Sequence, residues 1–523
     1  MLRRLGRPAA PHASSMLPFW RSFATKPKKP VVLSDFIRVR DLAKKLKVHV
    51  DDVVKHACKK HYHKYYMTHA GVDYKFDNLK QVILPVDMAA RIATHYAAPV
   101  VYDSIEPPAF DDAQQQQVRP PVIAVMGHVD HGKTTLMDSL RGTEVAKHEV
   151  EGITQKIHVC DTTLAPDMPV TFLDTPGHFH FTRMRNNAAG VADVVVLVVA
   201  ADEGCRLQTE ESIGCIESLG VPSVVCINKM DIAPPGALER LTADVKEYVA
   251  VEHSPIVAIS AKDGTNLDRL KATLLEVLRD VPLQACVGTG GNAQGTTLEV
   301  VASTGTGTVL RVLIVHGIVQ KGDHFVCGMI HGMIKTIRRA TGVVVDAATP
   351  GQVVDVTYKK LSRHKDAPLE FDFHVVSKER AEHILEQREM ANDFAASVQV
   401  DDEAAAQEAA DLPAKGFVGT PIVVKADTAG SLTSLLDTID DMPGIHVAHF
   451  GLGNVTANDV DRGCTIFGFN VKVQSRERKL AETAGVHVVV RPTIHQLLEE
   501  ISLVEEDAIT EDEEEFVDEE STK

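Results

Sequence analysis

The chain has 523 residues, a formal net charge of −17 and eight scattered cysteines. Its longest apolar runs, such as residues 194–201, are too short to span a bilayer, so no membrane partner is expected. The cysteines lack a Cys-x-x-Cys spacing and indicate neither disulfides nor zinc, and the acidic balance excludes a general RNA-binding protein.

Residues 1–30 contain seven basic residues and no acidic residue, interleaved with Ser, Ala and apolar side chains. This composition is typical of an organellar transit peptide, with residues 21–24 as a processing region. A disordered basic tail that contacts RNA is the alternative. We favour targeting to the mitochondrial matrix, ahead of a plastid. Residues 31–118 follow, with helical patterns at 39–46 and 53–55 that predict a small helical module and a linker.

A phosphate-binding loop is predicted next. Residues 122–126 form an apolar run that predicts a buried strand, and residues 136–140 continue as a helix. The residues between them have the Gly-x-x-x-x-Gly-Lys-Thr pattern, whose backbone N–H groups and lysine bind phosphates. The predicted loop residues are Gly127, His128, Val129, Asp130, His131, Gly132, Lys133, Thr134 and Thr135.

A magnesium site and a switch are predicted beside this loop. A second strand, 170–173, ends at Asp174, where a carboxylate can support Mg²⁺ together with the Thr134 hydroxyl. Gly152, Ile153 and Thr154 lie in a segment of little apolar periodicity, and Thr154 could close onto Mg²⁺ only when a γ-phosphate is present. The predicted Mg²⁺ residues are Thr134, Thr154 and Asp174.

The residues after Asp174 predict a γ-phosphate sensor and a catalytic group. Gly177 has no side chain to obstruct a close backbone approach to the γ-phosphate. His178 follows it directly, and we expect it to orient the water that attacks the γ-phosphate.

Two later loops predict selection of guanine. The strand at 224–227 leads into Asn228, Lys229 and Asp231. The acceptor-only Asp231 carboxylate can pair with the N1–H and N2–H₂ donors of guanine, which adenine lacks. The strand at 256–259 leads into a second loop, whose backbone can meet guanine O6. The predicted residues of that loop are Ser260, Ala261 and Lys262.

The segment 126–134, together with residues 152–157 and 181–185, resembles translational GTPases, and most closely bacterial and organellar translation initiation factor 2. The resemblance extends over residues 37–500. It implies a ribosome-stimulated GTPase that converts GTP to GDP and phosphate, with GTP and Mg²⁺ as ligands. It also implies that Val129 and Ile153 form an apolar gate beside His178, and that Asp130 helps to hold a monovalent cation.

The predicted architecture is multidomain α/β. A helical amino-terminal module precedes a P-loop GTPase domain whose mostly parallel sheet has flanking helices; a β-barrel and an α/β sandwich domain follow. The predicted boundaries are 119–284 for the GTP-binding domain, 285–376 for the barrel, 377–416 for a helix and linker, 417–502 for the α/β domain and 503–523 for an acidic disordered tail.

At that acidic tail the sequence departs from the family, which continues into a barrel that grips initiator tRNA. Initiator tRNA binding is therefore not carried over by the resemblance. We expect a monomeric mitochondrial-type initiation factor that binds both ribosomal subunits and their rRNA, promotes subunit joining and hydrolyses GTP, with placement of the initiator tRNA left open. The alternative is a GTP-dependent scaffold for ribosome assembly or quality control that does not bind initiator tRNA.

Overall fold

The computed structural model describes residues 30–103, 116–142, 154–248, 251–287, 291–303, 307–362, 372–398, 419–442 and 444–505. Residues 1–29 of the predicted transit peptide, the switch residues Gly152 and Ile153, the linker from residue 399 and almost all of the acidic tail lie outside these residues. The chain divides into two compact units, the first comprising Met1–Ser104 and Met390–Gln399, the second the remainder. Every helix in the described ranges is too short or too polar to cross a bilayer.

The first unit is a mixed α/β module. Its helices are α1 (Val39–Leu46), α2 (Val50–Ala57) and α3 (Val86–His95). Its strands are β1 (Val31–Leu33), β2 (Phe36–Arg38), β3 (Lys59–His61), β4 (Lys64–His69), β5 (Val72–Phe76), β6 (Ile83–Pro85) and β7 (Val100–Tyr102). Strands β3, β4 and β5 form an antiparallel sheet, β2 pairs with β6, and β1 pairs in parallel with β7.

The purely helical expectation for this module is therefore incomplete. Helices α1 and α2 lie where the helical patterns were, but residues 64–76 form a β-hairpin instead. Tyr65 and Met67 on β4 and Tyr74 and Phe76 on β5 are buried, which is the two-residue period of a half-buried strand. The connecting pair Ala70 and Gly71 has positive φ at both residues, as a two-residue hairpin turn requires.

The second unit begins with the GTP-binding domain (G domain). Its strands are β8 (Gln116–Val118), β9 (Val122–Gly127), β10 (His158–Ala165), β11 (Met168–Asp174), β12 (Val194–Ala200), β13 (Ser223–Asn228), β14 (Ile256–Ala258) and β15 (Gln284–Cys286). Its helices are α4 (Lys133–Arg141), α5 (Thr182–Val191), α6 (Leu207–Leu219), α7 (Ala237–Lys246) and α8 (Leu267–Leu278), with a 3₁₀ turn at Phe179–Phe181.

One six-stranded sheet organises the G domain. Its order is β10–β11–β9–β12–β13–β14, and all neighbours are parallel except β10 and β11. The central strands β9, β12 and β13 are buried along their whole length, so helices cover both faces of the sheet. The loops after β9, β11 and β13 leave the sheet at the same carboxyl edge, where ligands bind in open α/β folds.

A closed antiparallel barrel follows the G domain. Its strands are β16 (Ala293–Ser303), β17 (Gly307–His316), β18 (Val319–Gln320), β19 (His324–Cys327), β20 (Ile330–Arg339), β21 (Val344–Val345), β22 (Ala347–Ala348), β23 (Val353–Lys360) and β24 (Asp372–Val375). Six of them close a ring in the order β19–β24–β16–β17–β23–β20, because β20 pairs back onto β19. Phe325 and Phe373 stack inside the ring with their centroids 4.8 Å apart.

Helix α9 (Lys378–Ala395) follows the barrel, and an α/β domain then completes the described chain. That domain contains β25 (Thr420–Ala426), α10 (Ala429–Ile439), β26 (Ile445–Leu452), α11 (Ala457–Val460), β27 (Thr465–Phe469), α12 (Ser475–Ala484), β28 (Val488–Arg491) and a last helix over residues 494–505. Its four strands are all parallel, in the order β26–β25–β27–β28. The predicted succession of a P-loop domain, a barrel and an α/β domain is confirmed.

A buried ionic cluster joins the barrel to the G domain. Arg311 on β17 donates to Glu299 Oε2 at 3.1 Å, to Asp355 Oδ1 at 2.9 Å and to the carbonyl oxygen of Ile157 at 3.0 Å. Among the described residues, Glu299 Oε1 has no hydrogen-bond partner. Burial raises the pKa of Glu299 to about 7, although the nearby Arg311 opposes the shift. The folded protein therefore binds a proton at Glu299 more tightly than the unfolded chain does.

We predict that Glu299→Gln makes the free energy of unfolding less dependent on pH. The stabilising effect of the Glu299 proton is fully present below the ordinary pKa of 4.5 and is lost as pH rises through about 7. This difference in pKa corresponds to about 3 kcal/mol. Urea unfolding of the parent and variant from pH 4 to pH 8 should show the variant gaining about that amount relative to the parent. Exposed Glu276→Gln is the control, and parallel curves for Glu299→Gln and the parent would contradict the prediction.

Candidate functional site

The candidate site begins with the loop between β9 and α4, where two glycines have no substitute. Gly127 and Gly132 both have positive φ, at 139° and 85°. A Cβ on Gly127 would collide with the backbone oxygen of Val198, and one on Gly132 would lie 2.5 Å from Asn228 Nδ2. Asp130 also has a positive φ of 59°, which reverses the chain between the glycines. The sequence thus folds here into a tight loop at the amino terminus of a nine-residue helix.

Lys133 supplies a buried positive charge inside this loop. It is the first residue of α4, its side chain is buried, and its Nζ donates to the carbonyl oxygen of His128 at 2.6 Å. A helix amino terminus and a lysine ammonium are together suited to a phosphate group. Thr135, which was also predicted to belong to the phosphate-binding loop, is the third residue of this helix.

The histidines of the loop are held as neutral rings. His131 is fully buried, with Nδ1 3.3 Å from the carbonyl oxygen of Val198, and burial lowers its pKa to about 3. Burial also lowers the pKa of His128, whose ring centroid lies 4.9 Å from that of His131. The loop therefore carries no histidine charge near neutral pH, and Lys133 is its cation.

Three side-chain oxygens form a cluster beside Lys133. The Thr134 hydroxyl donates to Asp174 Oδ2 at 2.9 Å and lies 2.7 Å from the Thr154 hydroxyl. Thr154 and Asp174 are both buried. Carboxylate and hydroxyl oxygens are ligands that suit Mg²⁺. The arrangement brings together the three residues predicted to serve Mg²⁺, two of them from loops that are distant in sequence.

The loop after β11 packs directly against the phosphate loop. Thr175 donates its hydroxyl to the carbonyl oxygen of Val125 at 2.7 Å. A Cβ on Gly177 would lie 2.5 Å from Lys133 Nζ and 2.9 Å from the backbone nitrogen of Val129. Only glycine can therefore bring the backbone of residue 177 this close to the loop.

Asn228 connects the phosphate loop to the loop predicted to contact the base. Its Nδ2 donates to the carbonyl oxygen of His131 at 2.9 Å, and its Oδ1 accepts from the backbone N–H of Ala261 at 2.9 Å. Ser260 donates its hydroxyl to Asp231 Oδ1 at 2.8 Å, which fixes the orientation of that carboxylate. Lys262 follows as an exposed side chain. Hydrogen bonds thus hold the residues around Asp231, where the base is predicted to bind.

Lys229 is anchored by two carboxylates that sequence reasoning missed. Its backbone has a positive φ of 62°, and its Nζ contacts Asp202 at 3.0 Å and Glu203 at 3.3 Å. These contacts raise the pKa of Lys229 despite its desolvation. They also hold its aliphatic stem in one place. An Asp-Glu pair directly after an apolar strand is the sequence signal that could have suggested them.

His178 lies half-buried at the start of the 3₁₀ turn, and its ring contacts a second domain. Its ring meets the ring of His495, on the last helix of the α/β domain, edge-on with the centroids 4.0 Å apart. Burial, with smaller contributions from His495, His180 and Arg185, lowers the pKa of His178 to about 3. The ring is therefore neutral at physiological pH and can accept a hydrogen bond.

A buried arginine fixes the backbone on which His178 sits. Arg185 on α5 donates to the carbonyl oxygens of His178 at 2.5 Å and Pro176 at 3.2 Å. The other arm of its guanidinium pairs with Glu211 on α6 at 2.5 Å. Sequence reasoning used Arg185 only as part of a motif and missed this bracing role.

The α/β domain contacts the G domain at several further points that the sequence did not predict. Lys156 pairs with Asp427 at 2.5 Å, and Arg183 pairs with Asp437 at 3.0 Å. Gly430 lies so close to Met184 that an added Cβ would overlap its side chain. Ile153, one side of the apolar gate that the family resemblance implies, lies outside the described residues.

Comparison with known proteins identifies the family. Sequence models described as the elongation factor Tu GTP binding domain and translation-initiation factor 2 match residues 119–281 and 396–502. Translation initiation factor IF-2 of Rickettsia bellii is 31% identical over 498 residues, covering 91% of this chain and 57% of the relative. The factor of the same name from Thermoanaerobacter sp. is 31% identical over 495 residues, covering 90% of this chain and 68% of the relative.

The chain thus spans between 57% and 68% of the length of these two relatives. Among solved structures, GDP-bound aIF5B from Aeropyrum pernix matches with 25% identity and a TM-score of 0.43, over 78% of this chain and 77% of that one. From the sequence matches to the bacterial factors, the chain belongs to the translation initiation factor 2 family of translational GTPases.

Proposed function

We propose that this chain binds GTP with Mg²⁺ and hydrolyses the GTP on the ribosome, as an initiation factor that promotes subunit joining. The observation that carries the proposal is the oxygen cluster of Thr134, Thr154 and Asp174 beside Lys133, with the backbone of Gly177 packed on the same loop. A phosphate-binding lysine, a hard-cation site and a close-packed glycine at one sheet edge are what phosphoryl transfer to water requires. Relatives named translation initiation factor IF-2 support the ribosomal role.

The positively charged groups of the site would bind the phosphates, and its oxygen-bearing side chains would bind Mg²⁺. Lys133 and the α4 amino terminus would neutralise the β- and γ-phosphates, and Gly177 N–H would donate to the γ-phosphate. Thr134 and Thr154 would hold Mg²⁺ through their hydroxyls, with Asp174 positioned to accept from the metal's water shell. When bound, Mg²⁺ supplies positive charge against the developing charge on the phosphate oxygens.

Guanine recognition would rest on Asp231. Its carboxylate would accept hydrogen bonds from the N1–H and N2–H₂ groups of guanine. Ser260 already holds the carboxylate through Oδ1, so its orientation is set before a nucleotide arrives. Asn228 would fix the distance between the base-binding residues and the phosphate loop, because it bonds to both Ala261 and His131.

Hydrolysis would depend on His178 as the group that orients water. Its neutral ring can accept a hydrogen bond from the nucleophile, whereas a protonated ring could only donate. In this structure the ring contacts His495, so we infer that ribosome contact turns His178 toward the γ-phosphate. Slow turnover in the free protein and strong stimulation on the ribosome follow from this dependence.

The proposed site of action is the mitochondrial matrix. Its support is the acid-free, basic composition of residues 1–30, which is typical of a transit peptide.

We predict that Gly177→Ala weakens binding of a non-hydrolysable GTP analogue by about tenfold more than binding of GDP. The added Cβ would press on Val129 N and displace the backbone that senses the γ-phosphate. A tenfold effect corresponds to about 1.4 kcal/mol. Fluorescent-nucleotide titration measures both affinities. Gly190→Ala on α5 is the control, because nothing lies within 4 Å of its added Cβ; equal losses for both nucleotides would argue against a γ-phosphate sensor at Gly177.

We predict that His178→Ala leaves GTP affinity nearly unchanged but lowers ribosome-stimulated hydrolysis by about 10²–10⁴-fold. The reason is that the variant cannot position the attacking water, while the phosphate contacts remain. Phosphate release with and without ribosomes gives the rates, and nucleotide titration gives the affinity. The control is His446→Ala, an exposed position in the α/β domain. Stimulated hydrolysis at the parent rate in His178→Ala would refute the catalytic role.

We predict that isolated mitochondria import the full chain and shorten it near residues 21–24. The matched control replaces the seven basic residues of 1–30 with glutamine, which removes the charge that drives import. Efficient import of that variant, or no import of the parent, would reject the assignment.

A further inference from the structure

Three histidines from two domains meet beside the 3₁₀ turn and form what we term the histidine cluster: His178, His180 and His495. One ring nitrogen from each lies within 4.8 Å of the other two. The ring centroids are 4.0 Å apart for His178 and His495, 4.9 Å for His178 and His180, and 6.1 Å for His180 and His495. All three side chains are half-buried, so a small solute can still reach them.

The surroundings of the cluster do not compensate three imidazolium charges. The groups that act electrostatically on His178 are His495, His180, Arg185 and His128, and all of them are basic. Burial lowers the pKa of His178 to about 3 and that of His180 to about 4. Both rings are therefore neutral at pH 7, and each keeps one nitrogen lone pair, which is the form that binds a metal ion. On His178 that lone pair is on Nδ1, which accepts from the His180 backbone N–H at 3.5 Å, so a metal ion would replace a long, weak hydrogen bond.

A hydroxyl group fixes the tautomer of His180. The Thr438 hydroxyl on α10 donates to the carbonyl oxygen of Ser434 at 2.9 Å, so it can only accept from His180 Nδ1, 3.0 Å away. The proton of the neutral His180 ring therefore sits on Nδ1, and the lone pair is on Nε2. Metal-binding histidines are typically oriented by such a hydrogen bond on the nitrogen that is not a ligand.

We propose that the histidine cluster binds one Zn²⁺ ion, or a divalent cation of similar softness, through one nitrogen of each ring. Three imidazole nitrogens suit zinc and leave a fourth tetrahedral position for water, whereas Mg²⁺ and Ca²⁺ prefer oxygen ligands. Tetrahedral zinc–nitrogen bonds place the nitrogens about 3.3 Å apart. The rings must therefore close by at most about 1.5 Å from the 4.8 Å separation, which side-chain rotation can supply.

Such an ion would join the G domain to the α/β domain at the catalytic group. His178 and His180 belong to the loop after β11, and His495 belongs to the last helix. This consequence rests on the proposed function: a His178 nitrogen bound to zinc is not available to orient water. Zinc would thus inhibit stimulated hydrolysis, and a chelator would restore it.

The test uses the full chain, purified without a polyhistidine tag and freed of metal, with Mg²⁺ and GDP in excess to fill the nucleotide site. Co²⁺ added as a zinc substitute should give the visible absorption of a tetrahedral complex, and Zn²⁺ should abolish that absorption by displacement. Calorimetric titration with Zn²⁺ should give one site per chain.

Two ligand variants and one positioning variant identify the site. Loss of a hydrogen-bond partner of a metal ligand typically lowers metal affinity by about 10–100-fold. His495→Gln and His180→Gln each remove a direct ligand, so each should lower Zn²⁺ affinity by about 100-fold or more. Thr438→Val, which keeps the shape of the side chain, should lose about 10–100-fold. His446→Gln is exposed, lies outside the cluster and should bind as the parent does.

The proposal is overturned if the parent gives no tetrahedral Co²⁺ spectrum, or if His495→Gln and His180→Gln bind Zn²⁺ with the parent affinity. Circular dichroism of each variant establishes that a loss of binding is not a loss of folding. Metal binding is measured without hydrolysis, so a failure of the proposed GTPase role would leave this result standing. Hydrolysis is then assayed with added Zn²⁺, and His495→Gln should resist an inhibition that the parent shows.

Discussion

Three of the four residues 154–157 are held by side chains from three domains, and the geometry of the site depends on them. Thr154 contacts Thr134 of the phosphate loop, Lys156 pairs with Asp427 of the α/β domain, and the carbonyl oxygen of Ile157 accepts from Arg311 of the barrel. Two of these contacts involve a charged partner in a partly buried setting, where hydrogen bonds are short and directional. Because Thr154 is only two residues from Lys156 and three from Ile157, we expect a movement of Thr154 out of the oxygen cluster to alter the contacts with the other two domains. A change at the phosphate loop is therefore a change in how three domains fit together.

The loop after β11 adds a second connection of the same kind. Arg185 holds its backbone from within the G domain, while Thr438 and His495 contact its histidines from the α/β domain. The two loops that surround a γ-phosphate thus share one neighbour, the α/β domain. Such an arrangement has the parts that a switch needs, namely two ligand-sensitive loops and a partner domain whose contacts with both can change.

Much of the G domain was predictable because its signals are local. Each functional loop directly follows a short apolar strand, and parallel strands bring their carboxyl ends to one edge. This reasoning predicts that Thr134, Asp174 and Asn228 lie near one another, as they do in the structure, and the family resemblance is confirmed. The barrel and the α/β domain were predicted from alternating and strand–helix patterns together with the family resemblance.

The remainder depended on contacts between residues far apart in sequence. His495, Asp427 and Arg311 lie more than 150 positions from the residues they contact near the phosphate site, and no local pattern identifies them. The amino-terminal hairpin was missed for a different reason. Its strands are short, and the buried tyrosines Tyr65 and Tyr74 have charged residues beside them, so the two-residue apolar period is weak.

The last turns of α9 have a consequence for how the chain is made. Met390 and Phe394 belong to the core of the first unit, where Phe394 stacks on Tyr74 with the ring centroids 4.2 Å apart. These two side chains leave the ribosome nearly three hundred residues after residue 103. At a synthesis rate of 5–20 residues per second, that interval is roughly 15–60 s. During this time the emerging amino-terminal segment exposes the apolar surface around Tyr74, so chaperones can bind it until α9 arrives to complete its core.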